Sequence, residues 1–283
     1  AELAAEHGTL MHVDACVGGC VLPFLRDAGA PLPAFDLGVP GVTSLSVDLH
    51  KYGFAPKGAS LLLQARRELR DAQYYACARW TGYPVVNATT LGSKSLAALG
   101  AAFAVMRHLG KEGYRARARA MWDATAELCA AIERHPALRL LGRPDMNLLA
   151  FTTTSGDVFE LADRLGELGW HVQVTYAVAP SPAHIHLTID PGNAARAGEL
   201  VRDLERCLDG LPAAGPLPPQ VTALLGALAQ GSGGLDTGAL MRSLGITDGV
   251  LPARAAVIHR LIDAAPPPVR EALLVEFFGE LFS

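Results

Sequence analysis

The stretch from Ser46 to Gly58, S-V-D-L-H-K-Y-G-F-A-P-K-G, constrains the fold of this chain more than any other. Apolar residues recur through positions 42–49, and a Tyr-Gly pair follows Lys51. This pattern predicts a buried strand over residues 42–48 that opens into a loop at Lys51. Because active-site residues often lie on such loops, Lys51 is the first candidate functional residue.

A second buried strand is predicted upstream, over residues 9–17, at L-M-H-V-D-A-C-V. Its two-residue period places Leu10, His12, Asp14 and Cys16 on one face. An aspartate inside a buried strand is costly unless another group pairs with it. A strand carboxylate and a later His-Lys pair are the two groups that pyridoxal phosphate needs, a pyridine-nitrogen partner and a Schiff-base amine. The residues therefore suggest Asp14 and Lys51 as cofactor ligands.

Bulk composition excludes several functions. The 283 residues are 50% hydrophobic, so the chain can bury a core, and the net charge of −4 offers no basic surface for nucleic acid. Five scattered cysteines indicate reduced thiols and a cytoplasmic location. No apolar run approaches the ~20 residues of a membrane span. Since the chain begins without methionine and as if inside a helix, we expect it to be the C-terminal part of a longer protein.

Three motifs carry a family resemblance. They are H-V-D-A-C-V-G-G, V-P-G-V-T-S-L-S-V-D-L-H-K-Y-G-F-A-P-K-G and, more weakly, T-L-G-S-K. At these motifs the chain resembles the group II pyridoxal-phosphate-dependent decarboxylase family, and within it the sphingosine-1-phosphate lyase branch, over roughly residues 1–210. The resemblance implies an α/β, fold-type-I PLP-dependent transferase-like architecture.

The predicted organisation has three segments. Residues 1–134 are the C-terminal part of a large, mostly parallel-sheet domain with its linking helix, and residues 135–212 form a small α+β domain. Residues 213–283 are a Pro/Gly-rich connector and a helical extension. The linking helix is predicted within 92–134, from an apolar stripe and a stop at Gly110. Residues 65–88 are predicted to be an irregular loop.

The resemblance implies a role for each cofactor residue. Lys51 would form the Schiff base, which requires it to lose a proton, and burial beside the cofactor would lower its pKa in that direction. Asp14 would hold the protonated pyridine nitrogen, and Cys16 would lie against the ring as a small packing residue. His50 would contact the cofactor phosphate. The alternatives are a snorkelling Lys51 and hydrogen-bonded structural roles for Asp14 and His50.

Two further residues have both a functional and an ordinary interpretation. Lys57 is either an exposed turn lysine or a second active-site cation that holds a phosphorylated substrate or assists proton transfer. Ser93 resembles the serine that reaches the cofactor phosphate of a neighbouring subunit, but the residues after it depart from the family pattern. Asp48 is interpreted as structural.

The histidines do not indicate a metal site. His184 and His186 share a strand face, but neither they nor His12 have a third ligand at suitable spacing. We therefore predict no metal.

The resemblance predicts a pyridoxal-phosphate-dependent carbon–carbon lyase that acts on a small amine, possibly phosphorylated and lipidic, and forms a homodimer. It would cleave a phosphorylated long-chain amino alcohol to an aldehyde and phosphoethanolamine. The alternatives are a pyridoxal-phosphate-dependent amino-acid decarboxylase, for which Lys57 would be of less use, and a non-catalytic fragment that lacks the upstream half of the cofactor site.

Overall fold

The computed structural model of the chain describes residues 1–93, 95–217, 219, 222 and 252–281. The chain divides into two compact units, residues 1–122 and residues 123–283. The boundary falls inside one long helix.

The first unit contains a three-stranded sheet and a separate two-stranded hairpin. Its elements are α1 (Glu2–Glu6), β1 (His12–Asp14), α2 (Leu22–Asp27), β2 (Ser44–Asp48), β3 (Ser60–Gln64), α3 (Arg67–Asp71), β4 (Tyr75–Cys77), β5 (Val85–Asn87) and the beginning of α4 (Ala97–Arg134). The sheet order is β1-β2-β3, with β1 parallel and β3 antiparallel to β2. The predicted strand of residues 42–48 is thus confirmed to within two residues.

Alternation along β2 explains why this strand lies at the centre of the sheet. Leu45 and Val47 are buried and pack with Ala15, whereas Ser44 and Ser46 on the other face are half-buried. The period of two therefore gives β2 one apolar and one polar face.

The prediction of a buried strand over residues 9–17 is wrong in length and in burial. Only His12–Asp14 is extended, Leu10 is 62% exposed, and Asp14 is exposed at the end of the strand. The chain then turns into a short 3-10 helix at Gly18–Cys20. Gly19 in this turn lies so close to β2 that an added Cβ would be 2.8 Å from Val47 Cγ2. Close packing of the turn on β2 ends the strand early.

The prediction of an irregular loop over residues 65–88 is also incomplete. This segment contains α3 and the antiparallel pair β4-β5. Its aromatic side chains are largely exposed, with Tyr75, Trp80 and Tyr83 at 64%, 65% and 73%. Because these side chains are not buried, the segment lacks the apolar periodicity from which strands are predicted.

Helix α4 is interrupted where the sequence predicts a stop. Gly110 has a left-handed φ of 58°, a conformation that glycine adopts without the steric cost of a Cβ. The predicted apolar stripe before it is exposed rather than buried. It consists of Leu96 (74%), Leu99 (58%), Phe103 (67%) and Met106 (47%).

The second unit has the predicted order of strands and helices. After the end of α4 come β6 (Leu138–Leu140), β7 (Leu148–Thr153), α5 (Val158–Glu167), β8 (Gln173–Thr175), β9 (His184–Thr188) and α6 (Ala197–Leu208). The sheet order is β6-β7-β9-β8, antiparallel throughout. Phe151 and Ile185 from the sheet and Leu161 and Leu165 from α5 are almost fully buried and form its core.

Two helices of the C-terminal segment follow, α7 (Ala256–Ala264) and α8 (Pro267–Leu281). Both helices fall within residues 213–283, for which a helical extension is predicted. Residues 223–251 of this predicted segment lie outside the described residues. In the described part of the chain, every helix is too short or too polar to cross a bilayer.

Candidate active site

The candidate site lies on the polar face of the first sheet, where β1 and β2 end. The register pairs His12 with Ser44 and Asp14 with Ser46. Because β1 and β2 are parallel, the chain leaves both strands at the same edge of the sheet, which is where α/β enzymes place their ligands. This edge therefore holds Asp14 and the turn that carries Lys51.

Backbone hydrogen bonds fix the turn around Lys51. The Phe54 N–H donates to the Lys51 carbonyl at 3.0 Å, and the Ala55 N–H donates to the Leu49 carbonyl at 3.0 Å. Gly53 sits against Leu49, where an added Cβ would be only 2.4 Å from the carbonyl oxygen. The glycine after Tyr52 is therefore required for the turn to close.

Phe54 has a left-handed backbone that its surroundings hold in place. Its φ is 58°, which is strained for a residue with a bulky side chain. The ring stacks on Tyr114 with centroids 6.0 Å apart, and the Tyr114 hydroxyl donates to the Gly53 carbonyl at 2.8 Å. Helix α4 thus buttresses the turn from behind, so that Lys51 is presented on a fixed loop.

Lys51 contacts Cys16, which follows β1, and Asp48, the last residue of β2. Its Nζ lies 3.0 Å from Cys16 Sγ and 3.1 Å from Asp48 Oδ2. The hydrogen bonds to Cys16 and to Asp48 raise the pKa of Lys51, and its side chain is exposed. Without the cofactor the Lys51 amine faces solvent next to the Asp48 carboxylate, so its charged form is stabilised.

Asp14 is the acidic partner at the same edge. The thiol and backbone N–H of Cys16, and then the Ser46 hydroxyl, hydrogen bond to the carboxylate and lower its pKa. The backbone N–H donates at 3.0 Å and the Ser46 hydroxyl at 3.2 Å. Asp14 thus remains a carboxylate at neutral pH. Cys16 contacts both Asp14 and Lys51, a closer involvement than the predicted packing role.

His50 points toward Asp48. Its Nδ1 lies 3.0 Å from the Ala59 carbonyl, so Nδ1 carries a proton and donates it, and its Nε2 lies 3.6 Å from Asp48 Oδ2. Asp48 also accepts from the Ser60 hydroxyl at 2.6 Å, and the bonds from Ser60 and Lys51 lower its pKa. Asp48 therefore binds Lys51 directly, at 3.1 Å, and lies beside the His50 ring.

Two predicted site residues do not join this cluster. Lys57 is exposed in the turn before β3, and within the described residues no carboxylate pairs with it. Ser93 is exposed in the loop before α4, and in the described ranges no hydrogen bond links it to Lys51 or Asp14.

Some site residues were missed from the sequence. Ser44, Ser46 and Asp48 alternate on the polar face of β2, and this period of two was a usable signal. Tyr114 was missed because it reaches Gly53 from 61 residues away, and local pattern does not report such a contact. The described residues contain no group of three or more side chains able to hold a metal ion.

The donor set fits pyridoxal phosphate. The cofactor requires a primary amine and, for its ring nitrogen, an acceptor that stays ionised. Lys51 carries a primary amine, and Asp14, whose pKa is lowered, carries an ionised carboxylate that would meet this requirement. Both contact Cys16 on the open face of the sheet, so that one planar ligand can meet them together.

Two family models match the chain. The model described as the pyridoxal-dependent decarboxylase conserved domain matches residues 1–154, more than half of the chain. A second model, for a C-terminal domain of pyridoxal-dependent enzymes named for a helix-turn-helix, matches residues 203–280.

Known proteins give the same picture. Sphingosine-1-phosphate lyase of Oryza sativa is 38% identical over 212 residues, which are 75% of this chain and 39% of that protein. A probable L-tyrosine/L-aspartate decarboxylase of Methanothermobacter thermautotrophicus is 36% identical over 208 residues, which are 72% of this chain and 54% of that protein.

A solved structure matches as well. Sphingosine-1-phosphate lyase of Burkholderia pseudomallei superposes with a TM-score of 0.69 at 34% identity, over 74% of this chain and 47% of that one. The chain thus spans about two fifths to one half of the length of these lyases. Its fold is that of the fold-type-I pyridoxal-phosphate enzymes, and the chain belongs to the pyridoxal-dependent decarboxylase family.

Proposed function

We propose that the whole protein is a pyridoxal-phosphate-dependent carbon–carbon lyase of the sphingosine-1-phosphate lyase type. It would convert a phosphorylated long-chain amino alcohol into a long-chain aldehyde and phosphoethanolamine. The observation that carries the proposal is the pair of Lys51 and Asp14 around Cys16, with Lys51 Nζ 3.0 Å from Cys16 Sγ. Identities of 38% and 34% to two sphingosine-1-phosphate lyases support this type of lyase.

The residues of this chain divide the work around the cofactor. When bound, pyridoxal phosphate supplies an aldehyde that condenses with amines and a ring that withdraws electrons from the bond being broken. Asp14 would hold the proton on the ring nitrogen, because its pKa is lowered and it stays ionised. Lys51 would hold the cofactor through its amine, which must first lose the proton that the contact with Asp48 at 3.1 Å stabilises.

Three basic or polar side chains other than Lys51 and Asp14 would contact the phosphate groups of the cofactor and of the substrate. His50, which is adjacent to Lys51, would contact the cofactor phosphate, and Ser93 would reach the phosphate of a neighbouring subunit in a homodimer. Lys57 would hold the substrate phosphate, a role suited to an exposed cation without a carboxylate partner in the described residues. All five cysteines are unpaired, which supports a cytoplasmic location.

An amino-acid decarboxylase is the second candidate. The observation that favours it is the 36% identity to a probable L-tyrosine/L-aspartate decarboxylase, of which this chain spans a larger share than of the lyases. The same Lys51 and Asp14 would serve in both reactions. The two candidates differ in the bond that breaks and in the use of Lys57.

Product analysis of the whole protein separates the candidates. We expect a fatty aldehyde and phosphoethanolamine from a phosphorylated long-chain amino alcohol, and no carbon dioxide from tyrosine or aspartate. Carbon dioxide without aldehyde would instead establish the decarboxylase.

Lys57→Ala tests the assignment of the substrate phosphate. Loss of this cation should raise KM for the phosphorylated substrate roughly tenfold while kcat changes little. Lys111→Ala is the matched control, since Lys111 is an exposed lysine already paired with Asp27 at 2.7 Å. Equal KM values for both variants would remove Lys57 from the site.

A further inference from the structure

A continuous line of hydrogen bonds crosses the polar face of the first sheet and ends on Asp14. Ser44 Oγ lies 2.8 Å from His12 Nδ1, and His12 Nε2 lies 3.2 Å from Ser46 Oγ. Ser46 Oγ lies 3.2 Å from Asp14 Oδ1. The β1-β2 register explains this arrangement, because it places His12 opposite Ser44 and Asp14 opposite Ser46.

The chemistry of each group sets the direction of these bonds. Asp14 is ionised and only accepts, so the single hydroxyl proton of Ser46 is donated to it. Ser46 must then accept from His12, which places a proton on His12 Nε2. In the neutral imidazole Nδ1 is left as an acceptor for the Ser44 hydroxyl. All donors therefore point toward the Asp14 carboxylate.

This alignment matters because Asp14 is exposed and has no other side chain to fix its rotation except Cys16 among the described residues. The Ser46 hydroxyl and the Cys16 N–H both donate to Oδ1, so the bond from Ser46 adds to that from Cys16 on the same oxygen. Hydrogen bonds in a chain also polarise one another, so that the distal members strengthen the bond at the carboxylate.

We propose that Ser46 and His12 are positioning residues for Asp14: the Ser44–His12–Ser46 line orients the carboxylate and keeps it ionised for the ring nitrogen of the cofactor. The role of this line at the cofactor rests on the proposed function. The hydrogen bonds of the line do not require the cofactor, and they are tested separately. Lys51 and Cys16, the other groups that act on Asp14, are left unchanged by the test.

The test compares Ser46→Ala with Ser44→Ala. Both variants remove a hydroxyl that contacts His12 from the same face of β2, but only Ser46 contacts Asp14. In the cofactor-free 283-residue chain, carboxyl carbon NMR should show the Asp14 pKa rising toward its ordinary value of 3.8 in Ser46→Ala, and rising less in Ser44→Ala, which removes only the distal member of the line. Nitrogen NMR of His12 should show the Nε2–H tautomer in the wild type and its loss in Ser46→Ala.

Cofactor binding supplies the second readout. In the whole protein, Ser46→Ala should weaken pyridoxal phosphate binding about 3- to 10-fold, as expected for loss of one hydrogen bond to a charged group, and Ser44→Ala should weaken it less. Ser46→Thr keeps the hydroxyl and should restore both the Asp14 pKa and the affinity. This rescue separates positioning from a folding defect.

An unchanged Asp14 pKa in Ser46→Ala, or a His12 protonated on Nδ1 only, would overturn the inference. Failure of the wild type to bind the cofactor would overturn the proposed function instead. The NMR result would still decide whether the Ser44–His12–Ser46 line acts on Asp14.

Discussion

At the scale of the residue, the neighbours of Lys51 and Asp14 stabilise the charged form of each. Cys16 and Asp48 raise the pKa of Lys51, whereas Cys16 and Ser46 lower the pKa of Asp14. An ionised Asp14 suits its proposed role at the ring nitrogen without a change of protonation. A protonated Lys51 does not react with an aldehyde, so attachment of the cofactor has to overcome the contact with Asp48.

Asp48→Asn should therefore speed covalent attachment of the cofactor at neutral pH. Removing the charge of Asp48 takes away one of the contacts that raise the pKa of Lys51 above its ordinary value of 10.5, so this pKa falls. A larger fraction of the Lys51 amine is then unprotonated at neutral pH. We expect the attachment rate at pH 7.5 to rise roughly 3- to 10-fold in stopped-flow absorbance, and the wild-type rate to increase with pH. Asp27→Asn, which alters a carboxylate paired with Lys111, should leave the rate unchanged. A slower rate in Asp48→Asn at every pH would show that Asp48 positions Lys51 rather than retaining its proton.

At the scale of the element, helix α4 supports the Lys51 turn through Tyr114. Its hydroxyl donates to the Gly53 carbonyl, and its ring stacks on both Phe54 and Phe24. Tyr114→Phe keeps the stacking and removes the buried hydrogen bond, so the free energy of unfolding should fall by about 1 kcal/mol in urea denaturation. Hydrogen exchange of residues 51–55 should become faster. Tyr83→Phe, at a 73% exposed tyrosine, is the control that should change neither quantity.

A second element, helix α7, is attached to the second unit by polar contacts. Asp163 on α5 accepts from the N–H groups of Ala255 and Ala256 at 3.0 and 2.9 Å and so caps the helix. His259 Nδ1 lies 3.0 Å from the Tyr176 hydroxyl, and its ring stacks on Phe159. The C-terminal segment is thus packed against α5 and not merely tethered to it.

Attachment of α7 should depend on pH through His259. Burial lowers the pKa of His259 below its ordinary value of 6.5, although Asp163 opposes the shift. Because the detached helix binds the proton more readily, attachment is complete above pH 6.5 and weakens as the pH falls below it. Hydrogen exchange of residues 256–264, corrected for its intrinsic pH dependence, should accelerate several-fold more in the wild type than in His259→Gln.

His186 is the control for this prediction. Its pKa is lowered too, by burial and then by His184, but it lies on β9. His186→Asn should keep the wild-type pH dependence of exchange in α7. If His259→Gln and the wild type respond equally to acid, His259 is not the group that titrates.

At the scale of the whole molecule, the sequence pattern correctly predicted the features that are determined by residues close together in the chain. The period of two in β2, the alternation in β9 and the glycine stop at Gly110 all agree with the structure. The predicted length of β1 does not agree with the structure, because the close packing of Gly19 on Val47 ends this strand early. The polar line to Asp14 could not be predicted because it needs the β1-β2 register, which pairs residues 32 positions apart.

The first unit also exposes more apolar surface than a self-contained domain would. The stripe of Leu96, Leu99, Phe103 and Met106 is 47% to 74% exposed. Exposed patches of this kind are unfavourable in water.

The most direct test of the account is to identify the side chain that holds the cofactor. The whole protein is incubated with pyridoxal phosphate, reduced with borohydride and mapped by peptide mass spectrometry. The account predicts a pyridoxyl group on Lys51, an absorbance band near ~420 nm before reduction, and neither in Lys51→Ala. A label spread over exposed lysines such as Lys57 and Lys111, or a band that persists in Lys51→Ala, would contradict it.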